Sequence, residues 1–314
     1  MGKINPKFTG LSQYKAPFCF ELAGKSFHLV MDDGLEVSLI FASGDMVQIA
    51  EKGQLYKFET YECLKGDETT YLVHVMPTEG NGKINQLWVL DLKQSLVTYA
   101  LMEEGYDPEY PRLIRVIPTF GAIKVPGEEL PTIRHHFTKR MAGRHIYWRY
   151  NPGFRIQHIY HTPTTVRANI APGTAFVDEE NLYKDMLESP DSAVRELGRQ
   201  KREHFDIWRK SYPFYEEPCF HIWIKDNMNV FCFAEENANR VDYARQTGGG
   251  GIFLLQEIDR LTDVGLSFSA GDYYMMTAIG EMVDSDPTLD DLPSPYDYSN
   301  VTTFPNVPKE ITED

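Results

Sequence analysis

From Gly24 to about residue 102 the chain is written as short apolar-polar runs separated by turn signals, and few architectures accept that rhythm. SFHLVM, a turn at Asp32–Gly34, LEVSLIFA, a turn at Ser43–Asp45 and MVQIAE read as successive strands with hairpin punctuation. QLYKFETYEC, TTYLVHVM, INQLWVLDL and LVTYALM continue the series. Seven or eight antiparallel strands thus fall within about eighty residues with no helix between them, the spacing of an up-and-down barrel. Closing such a sheet removes its adhesive edges.

Residues 1–120 are therefore expected to form one barrel. The stretch 121–143, with VPGEELPT, reads as a linker, although LIRVIPTFGAIKV just before and into it has strand character. A second barrel is expected over 144–283. It opens with HIYWRYNPGFRIQHIYHTPTTVRANI, three strand-like runs with a turn at Asn151–Gly153, and resumes with PCFHIWIKD, NVFCFAEEN, GIFLLQEIDRL and DVGLSFSAGDYYMMTAIGEM. Between the two sets, residues 181–210 carry apolar positions at helical spacing, with Pro190 dividing two helices. The last stretch, 284–314, is rich in Pro, Asp and Ser and is expected to be extended or disordered, contributing little to either core. Tyr296, Tyr298 and Phe304 are its candidate anchors on a partner surface, and a second copy of the chain is one such partner.

The paired pattern of GKSFHLVMDDGLEVSLIF, YKFETYEC and QLWVLDL, followed by GRHIYWRYNPGFRIQHIYHTPTTVRANI and then VFCFAEE with GIFLLQEIDRLTDVGLSF, resembles the molybdenum cofactor biosynthesis protein F (MoaF-like) family. The resemblance covers roughly residues 24 to 280 and is most specific at Gln157–Tyr160 and at the late strand ending in Glu235. It implies a mainly β fold of two consecutive antiparallel lipocalin-like barrels. The helical insertion and the acidic tail depart from that pattern.

Composition narrows the partners. Forty-six acidic against 31 basic residues give a formal charge of −15, which disfavours nucleic acid and anionic membranes because phosphate binding needs clustered Lys and Arg. With no signal-like opening and no apolar span, a cytoplasmic address is expected. Cys19, Cys63, Cys219 and Cys232 contain no CxxC pair and read as buried reduced thiols.

Candidate chemistry gathers in the second half. Alternation puts His158 and Tyr160 on one face with Ile156, and Glu235 on one face with Phe231 and Phe233. If those apolar side chains point inward, the polar ones must too. Arg149, His158, Tyr160 and Glu235 are the candidate catalytic set: a buried Glu would be hydrogen-bonded to Tyr160 or Arg149 or hold its proton, and Arg149 would pair with a substrate carboxylate. Arg149 shares its face with His145, which makes it the least constrained member. Trp148, Tyr150, Phe231 and Phe233 are the candidate substrate-binding rings.

No cofactor or metal is required. His135 with His136, and His158 with His161, sit at spacings that point to opposite faces of a strand, which leaves only His158 with His145 or His221 as a convergent option. The run TGGGGIF at Thr247–Phe253 lacks the Lys and Ser or Thr of a phosphate loop and reads as a hairpin loop. Two functions are compatible with these features. One is a cofactor-independent lyase, decarboxylase or isomerase acting by proton transfer on a small hydrophobic, phenol-like or carboxylic molecule. The other is a non-catalytic lipocalin-type binding protein. Polar groups deep inside one barrel would favour the first, and a purely apolar interior the second.

Overall fold

The computed structural model describes residues 18–151, 154–170, 181, 183–211, 215–240, 250–269, 272–285 and 290–312. Eight strands make the first barrel: β1 (Ser26–Met31), β2 (Glu36–Phe41), β3 (Met46–Glu51), β4 (Lys57–Lys65), β5 (Thr70–Val75), β6 (Ile84–Asp91), β7 (Leu96–Glu104) and β8 (Ile114–Ile123). Each pairs antiparallel with the next, and β1 closes on β8 through Leu29↔Ile123 and Met31↔Gly121. Gly121 is required at that seam, since a Cβ there would lie 2.6 Å from the Val30 carbonyl oxygen. Inward Leu29, Leu39, Phe41, Val47, Val73, Trp88, Leu90 and Val97 fill the interior.

The second barrel follows the same plan with β10 (His145–Asn151), β11 (Phe154–Thr162), β12 (Thr165–Ile170), β13 (Tyr215–Lys225), β14 (Met228–Ala234), β15 (Gly250–Glu257), β16 (Thr262–Ser269) and β17 (Asp272–Val283). Pairing of β10 with β17 and of β12 with β13 completes the ring. A two-residue strand from the connecting segment, β9 (His136–Phe137), adds to β13 through Ile222↔Phe137. The expected helical insertion is present as α1 (Lys184–Leu187) and α2 (Ser192–Ser211), split around Pro190. It lies between β12 and β13, and Tyr183 and Phe205 bury into the core of the second barrel. A third helix, α3 (Glu236–Arg240), follows β14.

The two barrels share an apolar wall. Leu72, Leu87, Val89, Met102 and Val116 on the outside of the first pack with Phe220, Ile222, Val230, Cys232 and Leu255 on the outside of the second. β14 is consequently buried on both faces, which explains why its sequence is apolar almost without alternation.

The tail corrects the expectation that it adds little to either core. Among the described residues after Val283 regular structure is confined to a short 3-10 turn at Tyr298–Asn300, yet Thr303 and Phe304 are buried at 0% and 5% exposure. The Val116 amide donates to the Thr303 carbonyl at 2.8 Å, and Phe304 sits edge-on to Phe220 at 5.0 Å between centroids. Composition misleads here because the tail's polar groups meet buried charges rather than water. Glu236 accepts from the Thr302 and Thr303 amides and hydroxyls, while Glu216 accepts from Arg167 Nε at 2.6 Å and from the Tyr298 hydroxyl at 2.9 Å. Arg167, with no exposed surface, donates on to the carbonyls of Asp290 and Leu292.

Of the glycine run, Thr247–Gly249 lie outside the described residues, as do Pro152 and Gly153 of the expected turn. Gly250 and Gly251 begin β15, and a Cβ on Gly251 would strike the Phe233 carbonyl oxygen at 2.3 Å. Close strand packing is what needs a glycine there. Among the described residues no helix is long and apolar enough to cross a membrane.

Candidate functional site

The inward faces of β10, β11, β14, β15, β16 and β17 converge at the end of the second barrel where β14 leaves and β15 returns. A cavity of about 100 Å³ lies there, lined by Tyr150, His158, Phe233, Glu235, Ser267 and Tyr274 among others. Strand parity brings the two key groups together. His158 follows Ile156 on β11 and Glu235 follows Phe233 at the end of β14, so both share the apolar side of their strands.

Electrostatics separate their roles. Burial pushes Glu235 up to about 8, while burial holds His158 down to about 3. Neither Tyr160 nor Arg149 is among the described hydrogen-bond partners of the Glu235 carboxyl; burial raises it, and the Gly250 amide offsets that in part. Its neighbour across the sheet is Glu217, also inward on β13 by the register Cys219↔Phe233. Glu217 accepts the amides of Asn237 and Ala238 at 2.7 and 2.9 Å, at the start of α3. Burial and the neighbouring Glu235 raise Glu217 well above the ordinary carboxylate range as well, against the lowering effect of those two amides.

The remaining candidates divide in two. Tyr150 and Phe233 line the cavity with His158 and Glu235. Tyr160, Trp148 and Phe231 are buried one layer behind it. The Tyr160 oxygen accepts from Trp148 Nε1 at 3.0 Å and from Gln256 Nε2 at 2.9 Å, and its ring meets His158, His221 and Phe231 edge-on. It supports the site rather than facing it. Arg149 is a correction: it is exposed on the outer wall beside Tyr147, Arg155 and Glu281, because the inward positions of β10 are Ile146, Trp148 and Tyr150. His145 shares that outer face and bonds Asp290 of the tail at 2.9 Å, so it does not converge with His158.

His221 does reach the interior, stacked on Phe231 at 5.0 Å, and burial holds it down to about 3. Among the described residues, no three His, Cys, Asp or Glu side chains are grouped to hold a metal ion. Four inward polar groups went unnoticed in the sequence: Glu217, Asn229, Gln256 and Asp263. The last three are cross-strand neighbours in one row, by Asn229↔Gln256 and Gln256↔Asp263, and burial pushes Asp263 up to about 7. Parity with Phe231, Leu254 and Gly265 was the signal that could have found them.

Comparison with known proteins bears on the first barrel. No curated protein matches the chain significantly. Residues 8–103 match the family model of the MoaF N-terminal domain, a span that takes in β1 to β6 and most of β7. The first barrel is thus similar to the MoaF N-terminal domain, and the match does not extend to the second barrel.

Proposed function

We propose that the second barrel is a cofactor-independent enzyme that shifts a proton on a small, uncharged, hydrophobic or phenol-like molecule held between His158 and Glu235. The observation that supports this most is the pairing of a proton-bearing carboxyl with a neutral imidazole in one apolar cavity: from about pH 3 to about pH 8 the acid keeps its proton and the base its lone pair. Glu235 donates, His158 accepts, and the substrate leaves with a hydrogen moved from one atom to another. No cationic side chain is found among the lining residues and Arg149 is outside, so a carboxylate substrate would enter without a counter-ion. Isomerisation of a neutral molecule is favoured over decarboxylation for that reason. The cavity is smaller than the roughly 150 Å³ void that holds a benzene ring, which suits the reacting end of a phenol or enol.

A binding role has its own support in the first barrel. A cavity of about 590 Å³ at its mouth, lined by Ile49, Leu55 and Ile84 together with Glu51, Lys57, Glu59 and Glu79, would suit a larger amphipathic ligand. The two readings are separated by solvent-deuterium incorporation into a panel of small enols and phenols, followed by NMR. Glu235→Gln keeps the volume and removes the acid, so exchange is expected to fall about a hundredfold or more while the fold persists. Ligand binding without exchange, or exchange unaltered in Glu235→Gln, would leave only the binding role.

A further inference from the structure

The first barrel contains two thiols that none of this chemistry uses. Cys19 lies in the segment entering the barrel and Cys63 on the inner face of β4; they are 8% and 1% exposed and belong to one apolar cluster with Leu22, Tyr61 and Tyr71. The Cys19 amide donates to the Cys63 carbonyl at 2.8 Å. A direct backbone bond of this kind holds two Cα atoms roughly 5.5 Å apart, inside the span a disulfide bridges. The Cys19 thiol is near enough to Cys63 to add to the effect of burial in raising it. Nothing has to move far, because Glu21 already fastens this segment to Lys65 and to the Tyr71 hydroxyl, each at 2.9 Å. The other two cysteines are placed differently. Register pairs Cys219 with Phe233 and Cys232 with Phe220, which puts their thiols on opposite faces of the sheet.

We propose that Cys19 and Cys63 are a reversible disulfide site, closed by exchange with a low-molecular-weight disulfide such as glutathione disulfide, which locks the entry segment to the first barrel. Cys19 is the attacking thiol, because it is the more exposed of the two and burial raises Cys63 far above the ordinary thiol range. Its thiolate attacks one sulfur of glutathione disulfide, forming a mixed disulfide and releasing one glutathione. The Cys63 sulfur then attacks the Cys19 sulfur, its proton passing to the departing second glutathione. Two protein thiols are oxidised and one glutathione disulfide is reduced to two glutathiones.

The test incubates the full chain with glutathione disulfide, alkylates what remains and maps the peptides by mass spectrometry. Two of the four thiols should be lost, a Cys19–Cys63 linked peptide should appear, and dithiothreitol should restore all four. The melting midpoint of the bridged form should rise by roughly 5 °C. Cys63→Ser should stop at a glutathione adduct on Cys19, whereas Cys19→Ser should take up none. Four alkylatable thiols after prolonged exposure, or a bridge through Cys219 or Cys232, would overturn the proposal.

Discussion

The two barrels share a strand count and a connectivity, but their interiors differ. In the first, Trp88 stacks on Tyr99 at 4.2 Å and its indole nitrogen has no hydrogen-bond partner. In the second, Trp148 instead donates to Tyr160, and around that pair stand His158, His221, Gln256, Asp263, Glu217 and Glu235. Topology is indifferent to this choice, and surroundings are not. The second barrel has one wall covered by the first, one end filled by Tyr183 and Phe205 of the helical insertion, and its β11–β14 region strapped by the tail. Every inward ionisable group is thereby removed from water. In the first barrel burial raises Cys63 and Tyr99 as well, so the contrast lies in which groups are enclosed, a thiol and a phenol there and carboxyls and imidazoles in the second.

Deleting residues 284–314 is the strongest way to break the contrast. Glu236 would lose the four donors of Thr302 and Thr303, Arg167 two carbonyls, and the inter-barrel wall Phe304. Removing the partners of a buried charge costs about 3–5 kcal/mol, so the melting midpoint should drop by more than about 10 °C or the chain should fail to fold. A change of under about 2 °C, measured by circular dichroism, would mean that the strap carries no weight and that the second barrel needs only its own walls.

That strap also marks where sequence reading stopped short. Alternation groups His158 and Tyr160 with Ile156, and Glu235 with Phe231 and Phe233, but Ile159 on β11 and Val230 and Cys232 on β14 make the opposite faces apolar too, so parity gives the inward placement only as a condition. The same argument could not orient Arg149, since β10 carries rings on one face and His145 on the other, and both faces turn out to be partly covered. The tail reads as disordered because its own residues are polar. The clue lay elsewhere, in YEEPCF and FAEENA: two adjacent glutamates at the end of an apolar strand send one carboxyl inward and one outward. Glu217 and Glu235 are the inward pair; Glu216 and Glu236 are the outward pair, and both are bound by the tail. The match between these carboxyls and a segment 66 to 82 residues later is a long-range fact that periodicity does not contain.

A smaller effect sharpens the comparison of the two Trp–Tyr pairs. Tyr160→Phe leaves the N–H groups of Trp148 and Gln256 buried without an acceptor, which should cost about 2–4 kcal/mol in urea unfolding. Tyr99→Phe removes a hydroxyl that holds no such donors and keeps the stacked ring, so a loss under about 1 kcal/mol is expected. Equal losses would mean that the hydrogen-bonded pair contributes no more than the stacked one.

The smallest effect is the pH dependence of stability. Glu235 and Asp263 have folded pKa values raised to about 8 and about 7, so the stability they contribute is full below the ordinary carboxylate range and declines as pH rises through those values. His158 and His221 are depressed to about 3; their contribution is full above about 6.5 and is lost as pH falls toward 3. Below pH 6.5 the two sets oppose each other. Above it the histidines are flat, and the carboxyls alone tilt the curve, each by at most about 1.4 kcal/mol per pH unit. Between pH 7 and 8 Asp263 has largely finished, which leaves Glu235 with Glu217 beside it. Unfolding free energy should therefore fall across that unit in the wild type and in Tyr99→Phe, and fall less, by about one proton's worth, in Glu235→Gln. A slope unaltered by Glu235→Gln would mean that Glu235 carries no proton in the folded chain at neutral pH, and the cavity of the second barrel would then lack the acid that distinguishes it from the first.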